Sequence, residues 1–125
     1  MTEDNFLHRE LSESIIGACM CVLNTLRPGL SEKAYENALV IELGNRGHSI
    51  DQQKSYDVTY KGILVDTLIP DLLVDGKVIV DTKVVEEFNA THIAQMMGYL
   101  TITELRLAIL VNCKHADFRW KRVIR

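Results

Sequence analysis

The stretch Ile69-Pro70-Asp71-Leu72-Leu73-Val74-Asp75-Gly76-Lys77-Val78-Ile79-Val80-Asp81-Thr82-Lys83 decides the fold. Two apolar, branched runs flank Asp75-Gly76, a strong short-range signal for a β-hairpin. Asp71, Asp81 and Lys83 interrupt strands that otherwise read as core. Charged side chains rarely occupy such strands unless they are paired or hold a metal.

Asp81 and Lys83 are two residues apart and therefore point to one face of their strand. A three-residue connection, Asp75-Gly76-Lys77, sets Asp71 directly opposite Asp81. A strict two-residue loop pairs Asp71 with Val80 and sends Asp81 to the other face. The three-residue connection, or a bulge, is expected, with Gly76 supplying a positive φ. The two carboxylates then stand about 5 Å apart at the Cβ level. At that separation they repel unless a cation lies between them or one takes up a proton. Oxygen ligands alone select a hard ion, Mg²⁺ or Mn²⁺.

The chain has 125 residues, enough for one domain (1–125) with a real core and too few for two. Its net charge of −3 gives no global attraction for nucleic acid, so any such contact requires a local basic patch. Met1 to Asn5 is acidic and polar, unlike a basic-plus-apolar leader, and no apolar run is long enough to span a bilayer. Cys19, Cys21 and Cys113 lack zinc-type spacing and read as small core residues of a reduced, cytoplasmic protein.

Apolar residues from about Asp4 to Leu26 recur at three- and four-residue spacing, predicting an amphipathic helix that Pro28-Gly29 ends. A second helix is expected from Ser31, its cap, to about Asn45, with Ala34, Tyr35, Ala38, Leu39, Ile41 and Leu43 inside. Ser49–Lys61 reads as one strand, Lys61-Gly62 as a turn and Ile63–Leu68 as the return strand. After the Asp71 and Asp81 strands, Asn89–Thr103 is a helix with Ala90, Ile93, Ala94, Met97 and Leu100 inside. Leu105–Asn112 is a buried strand and Phe118–Ile124 a final strand alternating basic and apolar residues. The order α-α-β-β-β-β-α-β-β is α/β, a mixed sheet flanked by helices.

Pro70-Asp71 followed ten residues later by Asp81-Thr82-Lys83 resembles the PD-(D/E)xK signature of the restriction-endonuclease-like nucleases. Gly29-Leu30-Ser31-Glu32-Lys33-Ala34-Tyr35 reads as GxxExxY, and with Leu26-Arg27-Pro28 before it resembles the small bacterial and archaeal GxxExxY family of that superfamily. The likeness runs from about Leu11 to Ile124. Family members more often carry Glu where this chain has Asp81, one methylene shorter.

The resemblance implies a restriction-endonuclease-like core in which Asp71 and Asp81 ligate the metal, joined by Glu32 and the carbonyl of Thr82. Lys83 orients the attacking water and stabilises charge on the phosphate. Gln95 hydrogen-bonds the phosphate or that water, and Tyr99, four residues on, shares its face. Outside that likeness, Glu32 would read as a first-turn acid matched to the helix dipole, and Tyr35 as either support for Glu32 or packing. Arg119, Trp120, Lys121, Arg122 and Arg125 can grip a phosphate backbone or simply blunt an edge strand; Arg119 and Lys121 are taken as substrate contacts. His92 lies one turn before Gln95 and reads as structural.

The function implied is metal-dependent hydrolysis of phosphodiester bonds in DNA, ahead of RNA. With no recognition domain, substrate choice falls to a homodimer partner or another protein. The Asp at position 81 and the acidic net charge support a second reading, a nuclease fold without catalysis that serves as a binding or assembly module.

Overall fold

The computed structural model describes residues 7–125. Helix α1 (Arg9–Leu26) starts later than expected, after His8 in the left-handed region; positions 4–6 of the expected helix lie outside the described residues. It ends where Arg27 turns to φ 65°. Helix α2 (Glu32–Asn45) opens on Ser31, whose side chain accepts the Ala34 N–H, as the cap reading requires.

The single strand expected over Ser49–Lys61 is two: β1 (Ile50–Gln52) and β2 (Tyr56–Tyr60). The break falls at Gln53, at φ 56°, where the chain leaves one sheet for another. Strand β2 pairs with β3 (Ile63–Leu68) as a separate two-stranded arm through the Lys61-Gly62 turn. Strand β4 (Leu72–Val74) returns beside β1, and β5 (Val78–Lys83) follows. Helix α3 (Ala90–Thr103) crosses to β6 (Leu107–Asn112), parallel to β5, and β7 (Arg119–Ile124) closes the sheet antiparallel. Among the described residues the main sheet is five-stranded and mixed, in the order β1-β4-β5-β6-β7.

The hairpin register is the three-residue one. Leu72 pairs with Val80 and Val74 with Val78, leaving Asp75-Gly76-Lys77 as the connection. Asp75 and Gly76 both take positive φ, 53° and 65°, the type I′ pattern that matches strand twist. The sequence reading assigned that conformation to Gly76 alone. Asp is among the residues that tolerate it, and the Asp75 carboxylate accepts the Ser49 N–H, just before β1, at 2.8 Å.

Each face of the sheet is covered. Ile15, Leu23, Tyr35, Leu39 and Leu43 of α1 and α2 pack on Leu72, Val78, Val80, Leu107 and Ile109. Met96, Tyr99 and Leu100 of α3 pack on Leu73, Ile79, Ala108 and Leu110. Several inner-face expectations shift by part of a turn. Ile41 is 66% exposed, whereas Glu36 of the same helix is buried. Ala90 and Ala94 face solvent, while Met96 and Tyr99 are buried. Cys19 and Cys113 are core residues, but Cys21, two positions along α1, is exposed; all three thiols are free.

Candidate active site

The chemistry gathers at the end of β5 where the strand leaves the sheet. Residues in register across a sheet share a face, so Asp81 and Lys83 stand on the α3 side with Leu110, Asn112, Arg119 and Lys121. Asp71 precedes β4 by one residue, and the ladder register places it opposite Asp81. Its N–H donates to Asp81 Oδ1 at 3.3 Å, while its Oδ2 accepts from the Thr82 N–H at 3.0 Å and the Thr82 hydroxyl at 3.2 Å. The two acids thus meet at one point.

Asp81 is 3% exposed. Lys83 Nζ donates to its Oδ2 at 2.7 Å and approaches Gln95 Oε1 at 3.4 Å. Gln95 Nε2 in turn donates to the Tyr99 hydroxyl at 3.0 Å, so one face of α3 is tied to the strand end. Burial, and then the Asp81 charge, push Asp71 up to about 6. Burial pulls Lys83 down, but Asp81, with Glu32 and Asp71, outweighs it and the net shift is upward. Burial and the Asp81 charge likewise raise Tyr99.

Glu32 flanks this centre: its Oε1 accepts the N–H of Val84, the residue after Lys83, at 3.1 Å. Asn112, 1% exposed, holds the next residue from both sides. It donates to the Val85 carbonyl at 2.7 Å and accepts the Val85 N–H at 3.3 Å. These two contacts fix the chain just beyond Lys83.

Glu36 was not among the residues expected at the site. It is 3% exposed and accepts from Lys33, Gln52 and Gln53 at 2.6–3.2 Å. Burial raises its carboxyl, yet those hydrogen bonds outweigh it and hold the group below its ordinary range. Gln53 Nε2 also approaches Asp71 Oδ1 at 3.4 Å, and the Gln53 N–H donates to the Asp71 carbonyl at 2.9 Å. Glu36 therefore reaches Asp71 through Gln53. The available signal was spacing: Glu32, Tyr35, Glu36 and Leu39 lie at i, i+3, i+4 and i+7, one stripe of α2.

Other expected residues lie outside the acid pair and its direct partners. Tyr35 is 1% exposed, and its hydroxyl donates to the Arg27 carbonyl at 2.6 Å and accepts the Leu30 N–H at 3.1 Å. That binds the loop before α2 and uses both hydrogen-bonding roles of the phenol inside the fold. Arg119 and Lys121 are exposed on the site's face, Arg119 paired with Asp117 at 3.0 Å. Trp120, between them, lies on the opposite face, stacked on Phe118. Arg122 and Arg125 donate to the carbonyls of Leu7 and Leu105. Strand alternation divides the basic run, so no single surface carries all of it. His92 completes a capping box with Asn89.

Among the described residues no three His, Cys, Asp or Glu side chains form a ready metal cage, and no helix is long and apolar enough to cross a membrane. The geometry has a family setting. A solved alkaline exonuclease from Laribacter hongkongensis is similar over 86% of this chain and 76% of its own, at 13% identity and a TM-score of 0.49. No curated protein sequence matches. The profile of the PD-(D/E)XK nuclease superfamily matches residues 9–123, spanning both acids, the lysine and helices α1, α2 and α3. On that match the chain belongs to the PD-(D/E)XK nuclease superfamily.

Proposed function

We propose that the protein is a divalent-metal-dependent nuclease that hydrolyses phosphodiester bonds in DNA, ahead of RNA. The observation that carries this reading is the meeting of Asp71 and Asp81 beside Lys83 at the open end of β5. Two crowded carboxylates, one of them pushed up to about 6 by burial and its neighbour, call for a proton or a cation between them. The donor set is all oxygen and small, which suits Mg²⁺ or Mn²⁺. Such ions are held by one or two carboxylates and complete their shell with water and substrate phosphate. Asp71 and Asp81 are the ligands, with the Thr82 carbonyl completing the strand's contribution and Glu32 beside it.

A bound divalent ion polarises a phosphoryl oxygen and acidifies water. The chain's own groups do the rest. Lys83 places a cation beside Asp81 and steadies charge developing on the phosphate. Gln95, braced by Tyr99, offers its amide to the phosphate or the attacking water. Arg119 and Lys121 lie on the same sheet face and suit the backbone of a longer substrate. Glu36 and Gln53 hold Asp71 in place. The Gly29, Glu32 and Tyr35 spacing supports the GxxExxY subgroup and a prokaryotic source, and free thiols at all three cysteines suit a cytoplasmic setting. The compact site leaves substrate choice to a second copy or another protein.

The test is direct. Purified protein is incubated with linear, circular and single-stranded DNA and with RNA, with Mg²⁺ or Mn²⁺, beside Lys83→Ala. Cleavage by the wild type that the variant lacks supports the reading. No cleavage by either, with no metal uptake by calorimetry, sinks it. The outcome then favours a binding module, which the closed 2.7 Å Asp81–Lys83 pair would suit.

A further inference from the structure

At the other end of β5 a second group of reactive side chains is drawn together from three parts of the chain. Ser14 Oγ, on α1, lies 2.7 Å from His48 Nε2 in the α2–β1 connection. His48 Nδ1 lies 2.8 Å from Asp75 Oδ2 in the hairpin turn. Asp75 is itself fixed, its Oδ1 accepting the Ser49 N–H at 2.8 Å. With the imidazole proton on Nδ1, His48 donates to Asp75 and presents a lone pair to the Ser14 hydroxyl. That is a nucleophile, its base and the group that orients the base, the geometry by which such sites are recognised on unrelated folds.

A fourth group stands beside it. Gly17 follows Ser14 by three positions on the same face of α1, and a Cβ added there would lie 3.0 Å from Arg46 Nη1. The missing side chain lets the guanidinium rest on α1 at Gly17, one turn past Ser14, while Glu42 holds its Nε at 2.9 Å. The group is reachable: the side chains of His48, Asp75 and Arg46 are 16%, 31% and 35% exposed. A separate cleft of about 450 Å³, lined by His8, Arg9, Glu10, Leu11 and Lys77, lies nearby, but none of Ser14, His48 and Asp75 lines it.

We propose that Ser14, His48 and Asp75 form an acyl-transfer site, separate from the nuclease centre, that takes short-chain acyl esters. Ser14 Oγ attacks the ester carbonyl carbon as its proton passes to His48 Nε2. The Arg46 guanidinium faces the oxyanion so formed. The carbonyl re-forms as the C–O bond to the alcohol breaks, and the alcohol leaves with the proton from His48. Water, deprotonated by His48, then cleaves the acyl–Ser14 ester, and the hydroxyl of Ser14 is restored.

The test uses a fluorophosphonate probe on the full-length chain, with peptide mapping of the adduct, and then hydrolysis of p-nitrophenyl acetate. The expected result is an adduct approaching one per chain at Ser14, absent from Ser14→Ala. Labelling and hydrolysis should both slow roughly tenfold or more in His48→Gln and Asp75→Asn. Melting curves identify variants that stay folded, and Ser14→Ala removes only one oxygen. An unlabelled wild type, an adduct elsewhere, or labelling that a folded His48→Gln retains would overturn the proposal. The three residues would then be a tie between α1, the α2–β1 connection and the turn.

Discussion

Asp71 and Thr82 are joined twice: one carboxylate oxygen accepts both the backbone N–H, at 3.0 Å, and the hydroxyl, at 3.2 Å. The N–H bond works to lower Asp71, but burial and the nearby Asp81 charge outweigh it and push the carboxyl up to about 6 from its ordinary 3.8. The folded state therefore holds this proton more tightly than the unfolded chain. The sign of the linkage follows: the Asp71 contribution to stability is largest below about 4 and is lost as pH rises through 6.

Metal-free wild type and Asp71→Asn should be melted between pH 4 and 7. Their difference in melting temperature should move in favour of the variant as pH rises, because the amide needs no proton. Mn²⁺ should reverse the trend in the wild type, with an affinity that rises through pH 6. A pH-independent difference would show that the two acids do not share a proton.

Lys83→Ala should lower single-turnover DNA cleavage by about a hundredfold or more, the usual scale for removing one group that stabilises transition-state charge. It also strands Asp81, which is buried, so the variant should melt lower than the wild type. Added Mg²⁺ should restore more of the melting temperature than of the rate. Equal recovery of both would assign Lys83 to charge balance alone.

Tyr35→Phe removes the one hydroxyl that joins the Arg27 carbonyl to the Leu30 N–H. Urea unfolding should register a loss of about 1–2 kcal/mol. Cleavage per folded molecule, and KM for DNA, should stay as in the wild type. A raised KM with intact stability would return Tyr35 to the substrate surface.

Glu36→Ala leaves Lys33, Gln52 and Gln53 without their shared acceptor, so the Gln53 amide that approaches Asp71 loses its anchor on α2. A destabilisation of roughly 2–3 kcal/mol is expected from the buried polar groups. Mn²⁺ binding measured by calorimetry should weaken as well. Unchanged metal affinity in the folded variant would separate Glu36 from the acid pair.

Much of this was legible in the sequence, for reasons that differ residue by residue. The Asp75-Gly76-Lys77 connection was readable because period two leaves only two registers, and one of them buries a charge alone. Helix α2 was readable from Ser31, a cap with a local partner. Glu36 was not, because its partners Gln52 and Gln53 arrive from a strand sixteen or more residues on, and propensity carries no such information. The strand break at Gln53 was hidden for a related reason: the ladder with β4 ends at the Gln52–Leu72 pair, a contact across the sheet. Trp120 was read with its neighbours as one surface, although alternation along β7 always divides them.

The β2–β3 arm has a consequence of its own. Strands β1 and β4 are already adjacent, with Gln52 opposite Leu72, and the Gln53 N–H closes onto the Asp71 carbonyl. Residues 54–70 thus leave and re-enter the sheet through a sealed base, and Tyr60, Ile63, Leu64 and Val65 stand largely in solvent on the arm. Tyr56 and Leu68 at its root pack against the α3 core, so only the tip beyond them is decoupled from the main scaffold. Descendants of this gene are free to lengthen, trim or replace that tip, and so acquire new molecular targets, while the acids at its root stay in register.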